Sequence, residues 1–414
     1  MFPFNIAAAQ ALVLALIVPS TLGLSIPIQP RDDKKVIALD FNVTPPQGTN
    51  FTFNGDSLSL LVDGNSKLKV ANSPISVPIH GSGGSYIIEL LIGSSKNKVT
   101  VALDTGSSDL NVVDSNLYCG DNLDCHANGL YDPSSSTTSQ NLNIPVDLEY
   151  GSGASTGTYY KDDVSLGEAS GVTVKGLQFA DITDSEGASG ILGIGYEANE
   201  AARQEYPNFV SLLKSQNYIN KRAYSLYLNS VNAQTGTILF GGKDTRKYKG
   251  KLTTYLTSGN ERLQIPLQLL SVGGQSVSLS GLNGVLDSGT TLSYIKKEEY
   301  YQLAAKLNWI DVSSSAQQPP GNYYAGPCSG PDFVFNFGNG GTVTVPYSAV
   351  TMSVTDDNSL CIITVLPNTN PKIEGITILG DNFLRSAYVV YDLDAEQISI
   401  ANVNYTTDSN VVEL

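Results

Sequence analysis

Histidine is almost missing from this chain: of 414 residues only His80 and His126 are imidazoles. A serine hydrolase needs an imidazole base set against its nucleophile, and histidine-rich metal hydrolases need several, so neither chemistry has much to build on. Cysteine is scarce too, with four residues whose spacing does not suit zinc thiolates. Cations are outnumbered, 24 Lys and Arg against 39 Asp and Glu, and the resulting charge of −15 repels nucleic acid at neutral pH. No GxxxxGK[ST] or GxGxxG segment offers a cradle for a nucleotide. The longest apolar stretch, Ile6 to Val18 with Gln10 inside it, is too short to span a bilayer. The expectation is an enzyme without metal or cofactor, without a membrane anchor and without a nucleic-acid partner.

That apolar stretch runs into Pro19, Ser20, Thr21 and Gly23 and reads as a secretory signal over residues 1–24. Residues 25–70 hold five basic and five acidic side chains, no cysteine, and glycosylation sequons at Asn42 and Asn50. Nothing there suggests an active site, so the segment is assigned to a propeptide cut near Lys67 or Lys69, with an arm that stays attached as the alternative. From residue 70 onward there are 19 basic and 34 acidic residues, so the acidic excess belongs to the mature part. Its length exceeds what one core usually serves. Two lobes are expected, 71–250 and 251–414, parted by a stretch at 246–262 rich in Lys, Thr, Gly and Asn.

Short apolar or alternating runs dominate, among them Tyr86–Ile92, Ala223–Leu228, Thr237–Phe240, Phe333–Phe337 and Tyr388–Tyr391, punctuated by Gly, Ser, Asn and Pro. This is an all-β pattern. Helices are expected only at Phe209–Ser215 and Lys297–Leu307.

Two of the runs end in an acid. Val101, Ala102 and Leu103 lead into Asp104, Thr105, Gly106, Ser107 and Ser108; 183 residues later Val285 and Leu286 lead into Asp287, Ser288, Gly289, Thr290 and Thr291. A glycine two positions after the acid lets the chain turn tightly and bring peptide N–H groups onto the carboxylate, while the hydroxyls fix its orientation. Two such loops face to face would hold two carboxyls within hydrogen-bond reach. Both cannot ionise there, and one proton is shared.

Each half repeats more than its acid. Ile191, Leu192 and Gly193 follow the first acid, and Ile378, Leu379 and Gly380 follow the second at nearly the same interval, as if each set packs beneath its own loop. Between the acids, Glu149, Tyr150, Gly151, Ser152 and Gly153 mark a hairpin tip, which taken alone is as readily an ordinary surface hairpin as a lid over a ligand. Four cysteines allow three pairings; pairing inside each half, Cys119–Cys125 and Cys328–Cys361, is the economical one in a secreted chain. One sequon, at Asn404, lies in the mature part.

DTGSSDL, VLDSGTTLSY, YGSG, the paired ILG segments and the closing ISIANVNYT together resemble the pepsin-family aspartic proteases, most of all the secreted yeast candidapepsins, over about residues 72–412. The resemblance implies a bilobal fold of two β-barrel-like lobes about a cleft, made as a zymogen and secreted as a monomer. It implies an acid endopeptidase acting on extended protein or peptide substrates. The family's acids fall on Asp104 and Asp287, its supporting hydroxyls on Thr105, Ser107, Ser288 and Thr290, and its flap tyrosine on Tyr150, with Gly151 and Ser152 at the tip. Gly106, Gly289 and Tyr294 match cleft-lining positions. Two positions depart from the pattern: Asn111 stands where the family usually has a tryptophan behind the flap tyrosine, and Ser152 where yeast relatives often carry an Asp. Three rivals remain: a silent binding protein, which would be expected to lose an acid or hydroxyl; a two-carboxylate glycosidase, which would not pair its acids with hydroxyl turns; and a wall-anchored protease, which would need an apolar tail after Asp408–Leu414.

Overall fold

The computed structural model describes residues 35–43, 49–53, 61–62, 68–69, 75–79, 86–117, 128–150, 153–167, 170–185, 190–233, 235–316, 318–354, 359–373 and 375–414. Strands predominate, arranged as a bilobal all-β molecule. The expected strands form within a residue or two of the sequence boundaries, at Tyr86–Ile92, Ala223–Tyr227, Thr235–Phe240, Phe333–Gly338 and Ala387–Asp392. Phe209–Ser215 and Lys297–Leu307 are both helices. The first starts where the Asn208 side chain accepts from the Ser211 N–H at 3.2 Å and buries Phe209, Val210 and Leu213. The second carries Glu298 and Glu299 in its first turn, Lys306 in its last, and stops at Asn308 in the left-handed region.

One sheet of 13 strands runs through both halves. Its middle is antiparallel: Gln397–Asn402, Ala387–Asp392, Ala223–Tyr227, Thr235–Phe240, Ile37–Val43, Tyr86–Ile92 and Asn97–Asp104. Ile37–Val43 comes from the segment assigned to the propeptide. It pairs with Thr235–Phe240 from Ile37 opposite Phe240 to Asn42 opposite Thr235, and Ile37 and Phe41 are buried in the core. The sheet continues through Gly190–Gly193, Leu110–Val113 and Thr173–Ser185 to a long hairpin, Gln140–Tyr150 with Gly153–Ser165. The second half has its own five-stranded sheet around Asn283–Leu286 and a four-stranded sheet around Phe333–Gly338.

The two acid loops share one local topology. Gly190–Gly193 runs parallel to Val101–Asp104 and antiparallel to Leu110–Val113, so it is inserted between the strand entering the loop and the strand leaving it. Thr377–Leu379 does the same between Gly284–Leu286 and Ser293–Lys296. The acid loop must therefore arch over an intervening strand, which lifts it out of the sheet plane. Cys328 and Cys361 are bonded, tying the chain just after Tyr324–Gly326 to the neighbouring strand Cys361–Ile363 inside a four-stranded sheet of the second half. Cys119 and Cys125 lie outside the described residues, as do both histidines, Gly151 and Ser152.

Candidate active site

Asp104 ends its strand and Asp287 follows its own by one residue. Each carboxylate is held by its own turn in the same way. Gly106 N–H donates to Asp104 Oδ1 at 2.7 Å and Ser107 Oγ to Oδ2 at 2.5 Å; Gly289 N–H donates to Asp287 Oδ1 at 2.8 Å and Thr290 Oγ1 to Oδ2 at 2.7 Å. These donors fix the plane of each carboxyl before any substrate arrives.

The loops also lock to each other across the lobes. Thr105 Oγ1 donates to the Leu286 carbonyl at 2.7 Å and accepts from Ser288 N–H at 2.9 Å. Ser288 Oγ donates to the Leu103 carbonyl at 2.9 Å and accepts from Thr105 N–H at 3.2 Å. All four bonds are buried, where an unmade hydrogen bond costs about 1–3 kcal/mol. Removing one hydroxyl would strand two partners at once.

The glycines show how near the acids are. A Cβ on Gly106 would lie 2.5 Å from Asp287 Oδ1, and one on Gly289 would lie 2.3 Å from Asp104 Oδ1. Each glycine covers the other lobe's acid, and no side chain fits there. Asp104 and Asp287 therefore lie close enough for each to feel the other's charge. Burial first, and then the charge of Asp287, push Asp104 up to about 7.

The Ile-Leu-Gly segments brace the loops from below. Gly193 stands opposite Asp104 in the parallel ladder and Ile194 N–H donates to the Asp104 carbonyl at 2.9 Å; Asp287 N–H donates to the Leu379 carbonyl at 3.1 Å. A Cβ on Gly193 would sit 2.5 Å from Ser108 N, and one on Gly380 2.4 Å from the Thr290 carbonyl. These glycines permit backbone to lie directly on backbone.

The expected hairpin closes with Tyr150 opposite Gly153, and the tip between them is outside the described residues. Tyr294 leaves the second acid loop on Ser293–Lys296, opposite Ile378, with its phenol pushed up to about 12 by burial. Asn111 holds the corresponding place after the first loop, where its Oδ1 accepts from Ile191 N–H at 3.2 Å, an edge contact that an indole could not make. Asn404 donates through Nδ2 to the Arg246 carbonyl at 2.8 Å. The sequence reading missed Asp109, buried just beyond the first loop and accepting from Tyr159, Tyr206 and Ala201. Only the DTGSSDL motif pointed toward it. Among the described residues no cluster of His, Cys, Asp and Glu could hold a metal ion, and no helix is long and apolar enough to cross a membrane.

Comparison with known proteins agrees with this geometry. The family model for eukaryotic aspartyl protease matches residues 85–403. The chain is 38% identical to Candidapepsin-3 of Candida albicans, over 98% of each sequence. It is 41% identical to Secreted aspartic protease 8 of Candida albicans over 95% of each. With Candidapepsin of Candida tropicalis the identity is 38%, over 95% of this chain and 94% of the other. The chain belongs to the eukaryotic aspartyl proteases and is an aspartic-type endopeptidase.

Proposed function

We propose that the protein is a secreted acid endopeptidase in which Asp104 and Asp287 hold one proton between them and activate a water molecule against a peptide carbonyl. The observation that carries this is the crosswise packing of Gly106 on Asp287 and Gly289 on Asp104, which brings each acid up against the other's turn. The ionised member of the pair takes a proton from the water as it attacks. The protonated member donates to the carbonyl oxygen as negative charge develops there. Ser107, Thr290 and the Gly106 and Gly289 amides keep both carboxyls oriented through the step. No covalent intermediate is formed.

A substrate lies extended across the cleft, adding its backbone to the protein as a strand does. The substrate-binding roles proposed for Tyr150, Gly151 and Ser152 fall on the turn of the long hairpin in sequence, and that proposed for Tyr294 on the strand leaving the second acid loop. The relatives are named as secreted proteases, which supports secretion of this chain behind the leader at 1–24. Synthesis as a zymogen is supported by the place of Ile37–Val43: this strand precedes both acid loops, yet sits in the central sheet.

Casein digestion at acid pH by the wild type and by Asp104→Asn, each with and without a statine-type inhibitor, tests the reading. Wild-type digestion should be blocked by the inhibitor, and the variant should lose at least about a thousandfold in rate. Equal digestion by both would overturn it. Activity should decline as pH rises through about 7, since Asp104 is raised to that value and the shared proton is lost there.

A further inference from the structure

The two acid loops correspond residue for residue over five positions: Asp104 with Asp287, Thr105 with Ser288, Gly106 with Gly289, Ser107 with Thr290, Ser108 with Thr291. At the sixth they part. The first loop has Asp109 and the second Leu292. Asp109 is buried, and among the described residues it takes part in no ion pair. Its donors are neutral: Tyr159 Oη at 3.0 Å and Tyr206 Oη at 2.6 Å on Oδ1, and Ala201 N–H at 2.9 Å on Oδ2. A carboxylate taken out of water without a cation is strongly disfavoured unless such bonds are well made. The twin loop closes with an apolar side chain at this position, so the turn itself does not require an acid.

We propose that Asp109 is a positioning residue that ties the first acid loop to the hairpin of Gln140–Tyr150 and Gly153–Ser165. Tyr159 stands on Gly153–Ser165, the returning strand of that hairpin, and its ring meets Tyr206 edge-on at 5.8 Å. Tyr206 and Ala201 belong to the segment after Gly195, which grips the loop along its length. Gly195 N–H donates to the Ser107 carbonyl at 2.9 Å, Gly193 N–H to the Asp109 carbonyl at 2.9 Å, and Asn199 Nδ2 to the Gly106 carbonyl at 3.1 Å. Gly106 is the residue that lies on Asp287. Through Asp109, one carboxylate therefore fixes three chain segments: the turn that orients Asp104, the hairpin base, and the strap that holds Gly106 in place. Burial, followed by the charge of Asp109, drives the Tyr206 phenol far up, so it remains a donor at every working pH.

The proposal rests on Asp104 and Asp287 being the reacting acids, and its test separates the two. Peptide hydrolysis at acid pH is measured per active site, titrated with a statine-type inhibitor, beside thermal melting. In Asp109→Asn, kcat per titrated site should fall about 10- to 100-fold with KM within about threefold, as expected for misplaced catalytic groups. Tyr159→Phe and Tyr206→Phe should each cost a few-fold, and the double variant should depart from additivity because both donate to one oxygen. Asp162→Asn serves as the control: Asp162 is also buried and held by the hydroxyls of Tyr131 and Thr138, away from the loop. It should lower the melting temperature and leave kcat per titrated site unchanged. A double Phe variant with wild-type kcat per site overturns the proposal, and this variant decides the matter if Asp109→Asn does not fold. Loss at Asp109→Asn confined to the titratable fraction also overturns it. If Asp104→Asn, run alongside, stays active, the reading of the acids falls and takes this proposal with it; if Asp104→Asn is dead and the double Phe variant is not impaired, only the positioning role falls.

Discussion

Around the first acid, between residues 97 and 185, five aspartates are buried: Asp104, Asp109, Asp114, Asp162 and Asp181. Around the second, between residues 264 and 384, Asp381 alone among the described aspartates is buried, and aromatic rings pack in the interior, as Tyr131, Tyr159 and Phe179 do around the first. Trp309 stacks on Phe333 at 5.9 Å, Phe335 meets Phe383 edge-on at 5.0 Å, and Cys328–Cys361 joins two neighbouring strands' segments. The interior around the first loop thus adds buried carboxyls to its apolar packing, while that around the second is nearly free of them, although hydroxyls orient both acids. Dispersion and area burial do not depend on protons, whereas a buried carboxyl pair does. Burial first, and then the charge of Asp114 and a hydrogen bond to it, push Asp181 up to about 9.

Burial raises Asp381 in the second half as well, but Phe333–Gly338 and Gly341–Val345 hold no acid, so that part of the second half is separable from the first by pH. Asp104 and Asp181 have folded values of about 7 and about 9, above the unfolded aspartate value of about 3.9. Their contribution to stability is complete below that unfolded value and is lost as pH rises through the folded ones. Hydrogen exchange followed from about pH 5 to about pH 8 should therefore show amides of 97–113 and 153–185 opening before those of 333–345. This is the largest effect expected, and simultaneous opening would erase the contrast between the halves.

Phe335→Ala should lower stability by about 3–5 kcal/mol, equally at all acid pH values, when followed by denaturant unfolding. Replacing both Cys328 and Cys361 by Ala should cost about 3 kcal/mol, again without pH dependence. In the first half, Asp181→Asn should move the alkaline unfolding midpoint upward by about half a pH unit, because the native state no longer needs that proton. At the surface, Asp394 is raised by burial but brought down overall to about 2 by Lys214 and Arg222. Asp394→Asn should cost at most about 1 kcal/mol above pH 4, vanishing as pH falls through about 2.

The acids, their hydroxyls and the glycines were legible in the sequence because each turn is local, spelled out within five residues. The bracing strands were legible because Ile191–Gly193 and Ile378–Gly380 repeat at a matched interval. Asp109 and the Asp114–Asp181 pair were not: their partners are distant in sequence, as Tyr206 is from Asp109, and periodicity carries no sign of such contacts. Ile37–Val43 was passed over because its neighbours offered no site, and its partner strand Thr235–Phe240 lies almost two hundred residues away.

Because Gly106 sits on Asp287 and Gly289 on Asp104, damage crosses the molecule. A methyl group introduced by Gly106→Ala would disturb the acid contributed by the opposite half, not the acid beside it in the chain. Chimaeras that exchange one half between relatives must therefore preserve both glycines and the hydroxyls that flank them. The halves are free to diverge on their outer faces, but at this seam each is the template against which the other is kept.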